Sequence, residues 1–188
     1  MHSLIIFASG RGSNAQAIID YFKANGKARV SLIVSNKADA GVLDIARKEN
    51  IPYIVVDKQT VKEVALVQQI EAHNPSLIIL AGYLWKVPDS ILNAFPNKII
   101  NVHPALLPAY GGKGMYGHHV HEAVVANAEK ESGITIHYVN EHYDEGSIIV
   151  QARCCLAKED TPDSLAQKIH KLEHFFFPRT IEFLLDNA

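Results

Sequence analysis

The residues best suited to chemistry are Asn101, His103 and Asp144. Asn101 and His103 stand two apart in Asn101-Val102-His103-Pro104, directly after Lys98-Ile99-Ile100. That short apolar run reads as a buried strand, and strand residues two apart point to one face. Pro104 has no N–H with which to continue a ladder, so the strand ends at the histidine. An amide that can polarise a carbonyl, beside an imidazole that can move a proton, is equipment for acyl transfer. Asp144 lies in Asn140-Glu141-His142-Tyr143-Asp144-Glu145-Gly146, where the glycine marks a turn. A carboxylate beside an imidazole favours the charged ring, which suits a group handling protons near neutral pH. A bland reading stands next to this one: the asparagine caps a turn, the histidine bonds to backbone and the aspartate is solvated. Whether Asp144 touches His103 is open at this level.

A second feature is the loop Ser9-Gly10-Arg11-Gly12-Ser13-Asn14, between an apolar run and a helical pattern. Glycines allow a tight turn and close backbone approach, and a helix start offers unpaired N–H groups to an anion. The loop suits a phosphate monoester. It is not a Walker A loop, since no Gly-Lys-Ser/Thr follows at the required spacing. Gly10-x-Gly12-x-x-Ala15 fits a loose dinucleotide fingerprint, but the second strand ends Ser35-Asn36-Lys37 without the acid that would hold a ribose. NAD is therefore disfavoured and NADP, through Lys37, stays open. So does a plain strand–helix turn.

The elements that must position these residues alternate. Residues 4–8, 30–34, 53–56, 77–80 and 99–102 are short, aliphatic and unalternating, as strands covered on both faces should be. Amphipathic stretches over 15–24, 41–49, 62–73 and 89–95 separate them. This predicts an α/β fold: a single Rossmann-like open sheet, mostly parallel, with helices on both faces. After residue 103 the pattern changes. A long glycine-rich loop leads to a helical piece over 121–128, then to extended segments over 133–139 and 147–155, which read as mixed strands of the C-terminal half. Residues 162–185 carry apolar spacing at Leu165, Ile169, Leu172 and Phe176 and read as one helix bent at Pro178. Open sheets of this kind bind ligands beyond the carboxyl ends of their strands, so chemistry is expected after residues 8, 80 and 102.

Composition narrows the partners. The chain has 188 residues, 18 basic and 20 acidic side chains, and a net charge of −2. One compact domain is expected, and no broad attraction to nucleic acid is implied. Any anionic ligand must be held locally. The two cysteines, Cys154 and Cys155, are adjacent and read as reduced residues, not a disulfide framework. No run approaches membrane-spanning length, and the apolar start is too short for a signal peptide. A cytoplasmic protein, free of membrane contact, is expected. His118, His119 and His121 cluster, yet no cysteine or carboxylate completes a recognisable ligand set, so no metal is expected. His137, His170 and His174 read as structural or site-lining.

With these residues assembled, the chain resembles the phosphoribosylglycinamide formyltransferases, a folate-dependent family of purine synthesis. The likeness covers nearly the whole chain. It rests on the Ser-Gly-x-Gly-Ser-Asn loop at 9–14, Ser35-Asn36-Lys37-Ala38-Asp39-Ala40, Leu80-Ala81-Gly82-Tyr83 and Asn101-x-His103-Pro104-x-Leu106-Leu107-Pro108. Gly133-x-Thr135-x-His137 and Asp144-x-Gly146, followed by residues 148–151, complete it. The Asn-x-His-Pro element with a later Asp is common to formyltetrahydrofolate-using enzymes, and the Gly-Ser-Asn loop in so short a chain narrows the resemblance.

The resemblance implies a single formyltransferase domain over residues 1–188. Residues 1–100 would form the ribonucleotide-binding half and residues 101–188 the catalytic and folate-binding half. It implies formyl transfer from 10-formyltetrahydrofolate, as co-substrate, to the amine of glycinamide ribonucleotide, with no metal, by a monomer or weak homodimer. Asn101, His103 and Asp144 would be catalytic. Gly12, Ser13 and Asn14 would hold the substrate phosphate and Glu173 the ribose hydroxyls, although read from its own segment Glu173 is a surface residue. Leu84, Trp85, Lys86 and Val87 would line the folate pocket, with Lys62 a basic contact. Asn101 and the loop Asn140, Glu141, His142, Tyr143 and Asp144 would also meet the folate, the loop largely through backbone. Trp85 departs from an arginine common in relatives, and the loop over 110–117, longer than in many of them, is expected to cover the cleft. Two rival functions fit parts of the pattern: a hydrolase releasing formate from formyltetrahydrofolate, and a sensor of an adenine dinucleotide.

Overall fold

The computed structural model describes residues 1–187. Its first five strands, β1 (His2–Phe7), β2 (Ala28–Ser35), β3 (Tyr53–Val55), β4 (Leu77–Leu80) and β5 (Ile99–His103), are parallel. Two later strands, β6 (Glu131–Tyr138) and β7 (Ile148–Cys155), join antiparallel beyond β5. The seven-stranded order is β3-β2-β1-β4-β5-β6-β7. This is the mostly parallel α/β sheet, with mixed C-terminal strands, that the alternating pattern predicts.

From β1 the chain steps outward to β2 and β3 through helices α1 (Ser13–Asn25) and α2 (Gly41–Lys48). It then returns across β1 to β4 and β5, through α3 (Val64–Ala72) and α4 (Asp89–Ala94). A fixed crossover hand must put the two pairs on opposite faces, and the packing agrees. Ile18, Phe22, Val42 and Ala46 share a core layer with Leu4 and Ile6, while Ile70 and Ile91 share the other with Ile5 and Phe7. Both faces of β1 are thus covered, which is why its sequence does not alternate. The reversal between β1 and β4 leaves a crevice at the carboxyl ends of the strands.

The last two helices, α5 (His118–Ala126) and α6 (Pro162–Asp186), lie on the α1 face. Helix α6 opens with reciprocal capping: Thr161 Oγ1 accepts from the Ser164 N–H, and Ser164 Oγ accepts from the Thr161 N–H. It continues through Pro178 as one element. Two predicted boundaries shift. The helix expected over 62–73 is a 3-10 turn at Thr60–Lys62 and then α3, because Glu63 between them is extended. Helix α5 begins at His118, just after Gly117 with its φ of 53°, rather than at 121.

Candidate active site

Strand pairing brings three of the singled-out residues together. Asn101 lies opposite His137 in the β5–β6 ladder, and His103 lies opposite Thr135. The Asn101 amide donates from Nδ2 to His137 Nε2 at 3.1 Å. His137 Nδ1 lies 2.9 Å from the Tyr138 carbonyl, which can only accept, so Nδ1 carries the proton and Nε2 is free to receive the amide. Burial lowers the pKa of His137 and keeps this arrangement neutral. Among the described residues no other group takes the second N–H of Asn101, whose side chain lines the cleft.

His103 is nearly sealed and is held at both nitrogens. Its Nε2 donates to the Tyr110 carbonyl at 2.7 Å. Its Nδ1 faces Asp144 Oδ2 at 3.5 Å. Because Nε2 is committed, a proton gained or lost by this ring is exchanged at Nδ1, the edge beside the carboxylate. Asp144 is fixed in turn: Oδ2 accepts the Gly112 N–H at 2.9 Å, and Oδ1 is 3.7 Å from His137 Nε2. The site can therefore polarise a carbonyl at Asn101 and exchange a proton at His103, beside a carboxylate that stabilises positive charge.

Local sequence explains the positioning. Asp144 has a φ of 58°, and the turn that carries it closes at Gly146, where a Cβ would lie 1.7 Å from the Tyr138 oxygen. No other residue fits there. Thr135, fully buried, donates to the Ala105 carbonyl at 2.7 Å and accepts from the Leu107 N–H at 3.0 Å. Gln151 Nε2 reaches both Thr135 Oγ1 and the Leu107 carbonyl at 3.0 Å. The segment after His103 is thereby stapled to β6 and β7. Tyr110 was not singled out from the sequence. Its carbonyl holds His103, and its hydroxyl donates to Glu129 at 2.6 Å, just past α5.

The glycine loop ends at Gly12, with a φ of 83°, and α1 begins at Ser13. The unpaired N–H groups of its first turn face a cleft that Arg11 and Lys37 also line. Asn14 Nδ2 donates to Glu173 Oε2 at 2.9 Å, across the cleft from α1 to α6. Glu173 is buried, not a surface residue: it is 6% exposed and occupies the i+4 ridge of Leu165, Ile169, Phe177 and Ile181. Burial pushes its carboxyl up to about 7, against the lowering effect of the Asn14 bond.

One cleft of about 1080 Å³ joins both ends. Gly12, Ser13, Asn14 and Glu173 line one part; Asn101, His103 and Asp144 line another. Leu84, Trp85, Lys86 and Val87 form a wall, as do Asn140, His142 and Tyr143. Ser9 ties that wall to the glycine loop, because its Oγ accepts the Leu84 N–H at 2.9 Å. Lys62, on the 3-10 turn, and Glu141 do not line the cleft. The loop over 112–117 does, as do His121 and His170. No group of three His, Cys, Asp or Glu side chains among the described residues could hold a metal ion.

Residues 2–181 match the family model described as formyl transferase. The chain is 39% identical to a chloroplastic phosphoribosylglycinamide formyltransferase of Arabidopsis thaliana, over 95% of its own length and 63% of the relative's. It thus spans under two thirds of that plant protein. With the phosphoribosylglycinamide formyltransferase of Bacillus subtilis it shares 38% identity over 98% of its length and 95% of the relative's. The crystal structure of phosphoribosylglycinamide formyltransferase from Bacillus halodurans superposes with a TM-score of 0.89, at 36% identity, covering 97% of this chain and 95% of that one.

Proposed function

Because the chain belongs to the formyl transferase family, we propose that it moves a formyl group from 10-formyltetrahydrofolate to the amine of glycinamide ribonucleotide. The observation that carries this reading is the approach of His103 to Asp144, 3.5 Å, inside a cleft that the start of α1 also lines. Gly12, Ser13 and Asn14 hold the substrate phosphate, and Glu173 accepts from ribose hydroxyls. The folate lies against residues 84–87 and the 140–144 loop. Lys62 reaches folate only if its tail extends beyond the cleft, and Glu141 only through its backbone.

The amine nitrogen attacks the formyl carbon, and the carbonyl π pair moves onto oxygen. Asn101 donates its free N–H to that oxygen, with a protonated His103 as a second positive neighbour. When the carbonyl re-forms, the bond to the folate N10 breaks. The amine gives up one proton and N10 takes one. Asp144 stabilises the charged imidazole and orders the water that carries the proton between them. No metal takes part.

We read the chain as one formyltransferase domain, with residues 1–100 supplying the phosphate site and residues 101–188 the catalytic groups. Glu173 and the 84–87 wall cross that division. As the family resemblance implies, we propose that it acts as a monomer or weak homodimer. A cytoplasmic setting suits the free thiols of Cys154 and Cys155, and no helix among the described residues is long and apolar enough to cross a membrane.

The test is the absorbance change of 10-formyltetrahydrofolate, or its formyl-dideaza analogue, with and without glycinamide ribonucleotide. Deformylation that requires the ribonucleotide and yields its formylated form is expected. Deformylation without it would make the protein a hydrolase, and no deformylation in either case would remove the enzymatic reading.

A further inference from the structure

His121 is the one histidine of the 118–121 cluster that is buried, at 4% exposure, while His118 and His119 face solvent. His118 is directed at acids, 3.6 Å from Glu122 and 3.9 Å from Asp163. His121 has no such partner. Its Nδ1 is sealed from solvent without a hydrogen bond, yet its ring lines the substrate cleft. The groups whose charges act on it are His170, His118 and His103. His170 stands one turn before Glu173 on α6, and His103 is at the reacting end. His121 therefore lines the same cleft as Glu173 and His103, near enough to both His170 and His103 for their charges to act on it.

Two facts fix what this ring can offer. A buried N–H without an acceptor is costlier than a buried lone pair without a donor, so the ring proton belongs on Nε2 and not on the sealed Nδ1. Burial and three neighbouring histidines push the pKa of the ring down to about 4, so it stays neutral at working pH. A neutral N–H donor cannot protonate an amine nucleophile and suits an uncharged acceptor oxygen. Between the ribose and the reacting amine, the ribonucleotide carries one such group, its amide carbonyl.

Resting on the function proposed above, we infer that His121 is a ribonucleotide-binding residue whose Nε2–H donates to the carbonyl oxygen of the glycinamide arm. It would orient the amine toward the formyl carbon and distinguish the amide-bearing substrate from a bare phosphoribosyl group.

The test uses the full chain, with equilibrium binding of glycinamide ribonucleotide, ribose 5-phosphate and a folate analogue to wild type, His121→Met and His121→Gln. Methionine removes the donor at similar volume, and glutamine restores an N–H near the Nε2 position. The expected result is about tenfold weaker ribonucleotide binding in H121M, recovery to within about threefold in H121Q, and unchanged ribose 5-phosphate and folate binding. Equal ribonucleotide affinity in H121M and wild type overturns the inference. So does an equal loss for ribose 5-phosphate, or no rescue by glutamine. Should H121M fail to fold, imidazole ¹⁵N shifts of the wild type decide: an Nε2-protonated ring that shifts on adding ribonucleotide supports the role, and an Nδ1-protonated ring overturns it. A folded wild type that binds no ribonucleotide overturns the function itself, and the inference with it.

Discussion

Asn14 on the first helix donates to Glu173 on the last at 2.9 Å, and this single bond spans the cleft. It does not offset the desolvation of the carboxylate, which burial pushes up to about 7. Between about 4.5 and 7 the folded state keeps a proton that the unfolded state has lost, so stability falls as pH rises through that window. A tenfold change in proton affinity between the two states corresponds to about 1.4 kcal/mol. Glu173→Gln removes the ionisable group while leaving an oxygen to accept from Asn14. We expect its urea midpoint at pH 8 to exceed that of wild type, with the gap closing toward pH 5. His121 acts with the opposite sign: its pKa lies near 4, so its contribution is lost as pH falls below about 6.5. Glu173→Gln should therefore unmask a decline in stability toward acid that the wild type partly hides. A Gln variant less stable than wild type at pH 8 would refute the argument.

Asp144 touches His103 only through charge and position, 3.5 Å from Nδ1, while its Oδ2 also holds the Gly112 N–H. Asp144→Asn keeps an acceptor for Gly112 and removes the charge. We expect kcat to fall about 10²–10³-fold, with ribonucleotide dissociation constants within about threefold of wild type. Asn101→Ala should cost a similar factor through loss of the oxyanion donor. Steady-state rates and calorimetric titration separate the two quantities. Either variant retaining full turnover would leave that residue outside the mechanism.

How much of this was legible in the sequence depends on how local each signal is. The alternation of apolar runs and amphipathic stretches was enough for the parallel sheet, because β1, β2 and β4 place residues in both core layers and a covered strand cannot alternate. The run over 53–56, expected to be covered on both faces as well, is the edge strand β3, with Tyr53 and Val55 exposed. Asn101 and His103 were legible for the same reason, since strand geometry alone puts them on one face. Glu173 was not legible from its own segment. Reading the apolar spacing of α6 through Leu172 and Phe176 leaves Glu173 outside. The buried ridge runs through Leu165, Ile169, Phe177 and Ile181, and that register has Glu173 at its centre. Tyr110 carried no signal at all: it acts through its carbonyl, and any side chain supplies one. Contact between Asp144 and His103 depends on a turn 41 residues away in sequence, which pattern alone cannot close.

Thr135 offers a test of the staple behind His103. Its hydroxyl serves Ala105, Leu107 and Gln151 at once and is fully buried. Thr135→Val preserves shape and strands the Leu107 N–H, a loss of about 1–3 kcal/mol. Thr135→Ser keeps the hydroxyl and should lose less than half of that. Urea denaturation measures the stability. Turnover should fall in the valine variant even at temperatures where it is folded, because residues 104–108 set the approach of the Tyr110 carbonyl to His103.

Gly12 tests the phosphate site. Its φ is 83°, and an added Cβ would lie 2.9 Å from the Cα of Val42 and 2.8 Å from Cδ1 of Ile45. The isoleucine methyl can rotate away, but the Val42 backbone cannot. Gly12→Ala must therefore displace the start of α1, at about 1–3 kcal/mol of strain, and move the N–H groups that face the phosphate. Two residues earlier, Gly10 meets nothing within 4 Å of an added Cβ and has no left-handed backbone angle. Gly10→Ala should leave stability within about 0.5 kcal/mol of wild type. The expected pattern is a tenfold or larger loss of ribonucleotide affinity in Gly12→Ala, near-normal folate-analogue binding in the same variant, and an unchanged melting midpoint in Gly10→Ala. Normal ribonucleotide affinity in a folded Gly12→Ala variant would mean that the phosphate is held elsewhere in the cleft, with Arg11 and Lys37 the next groups to remove.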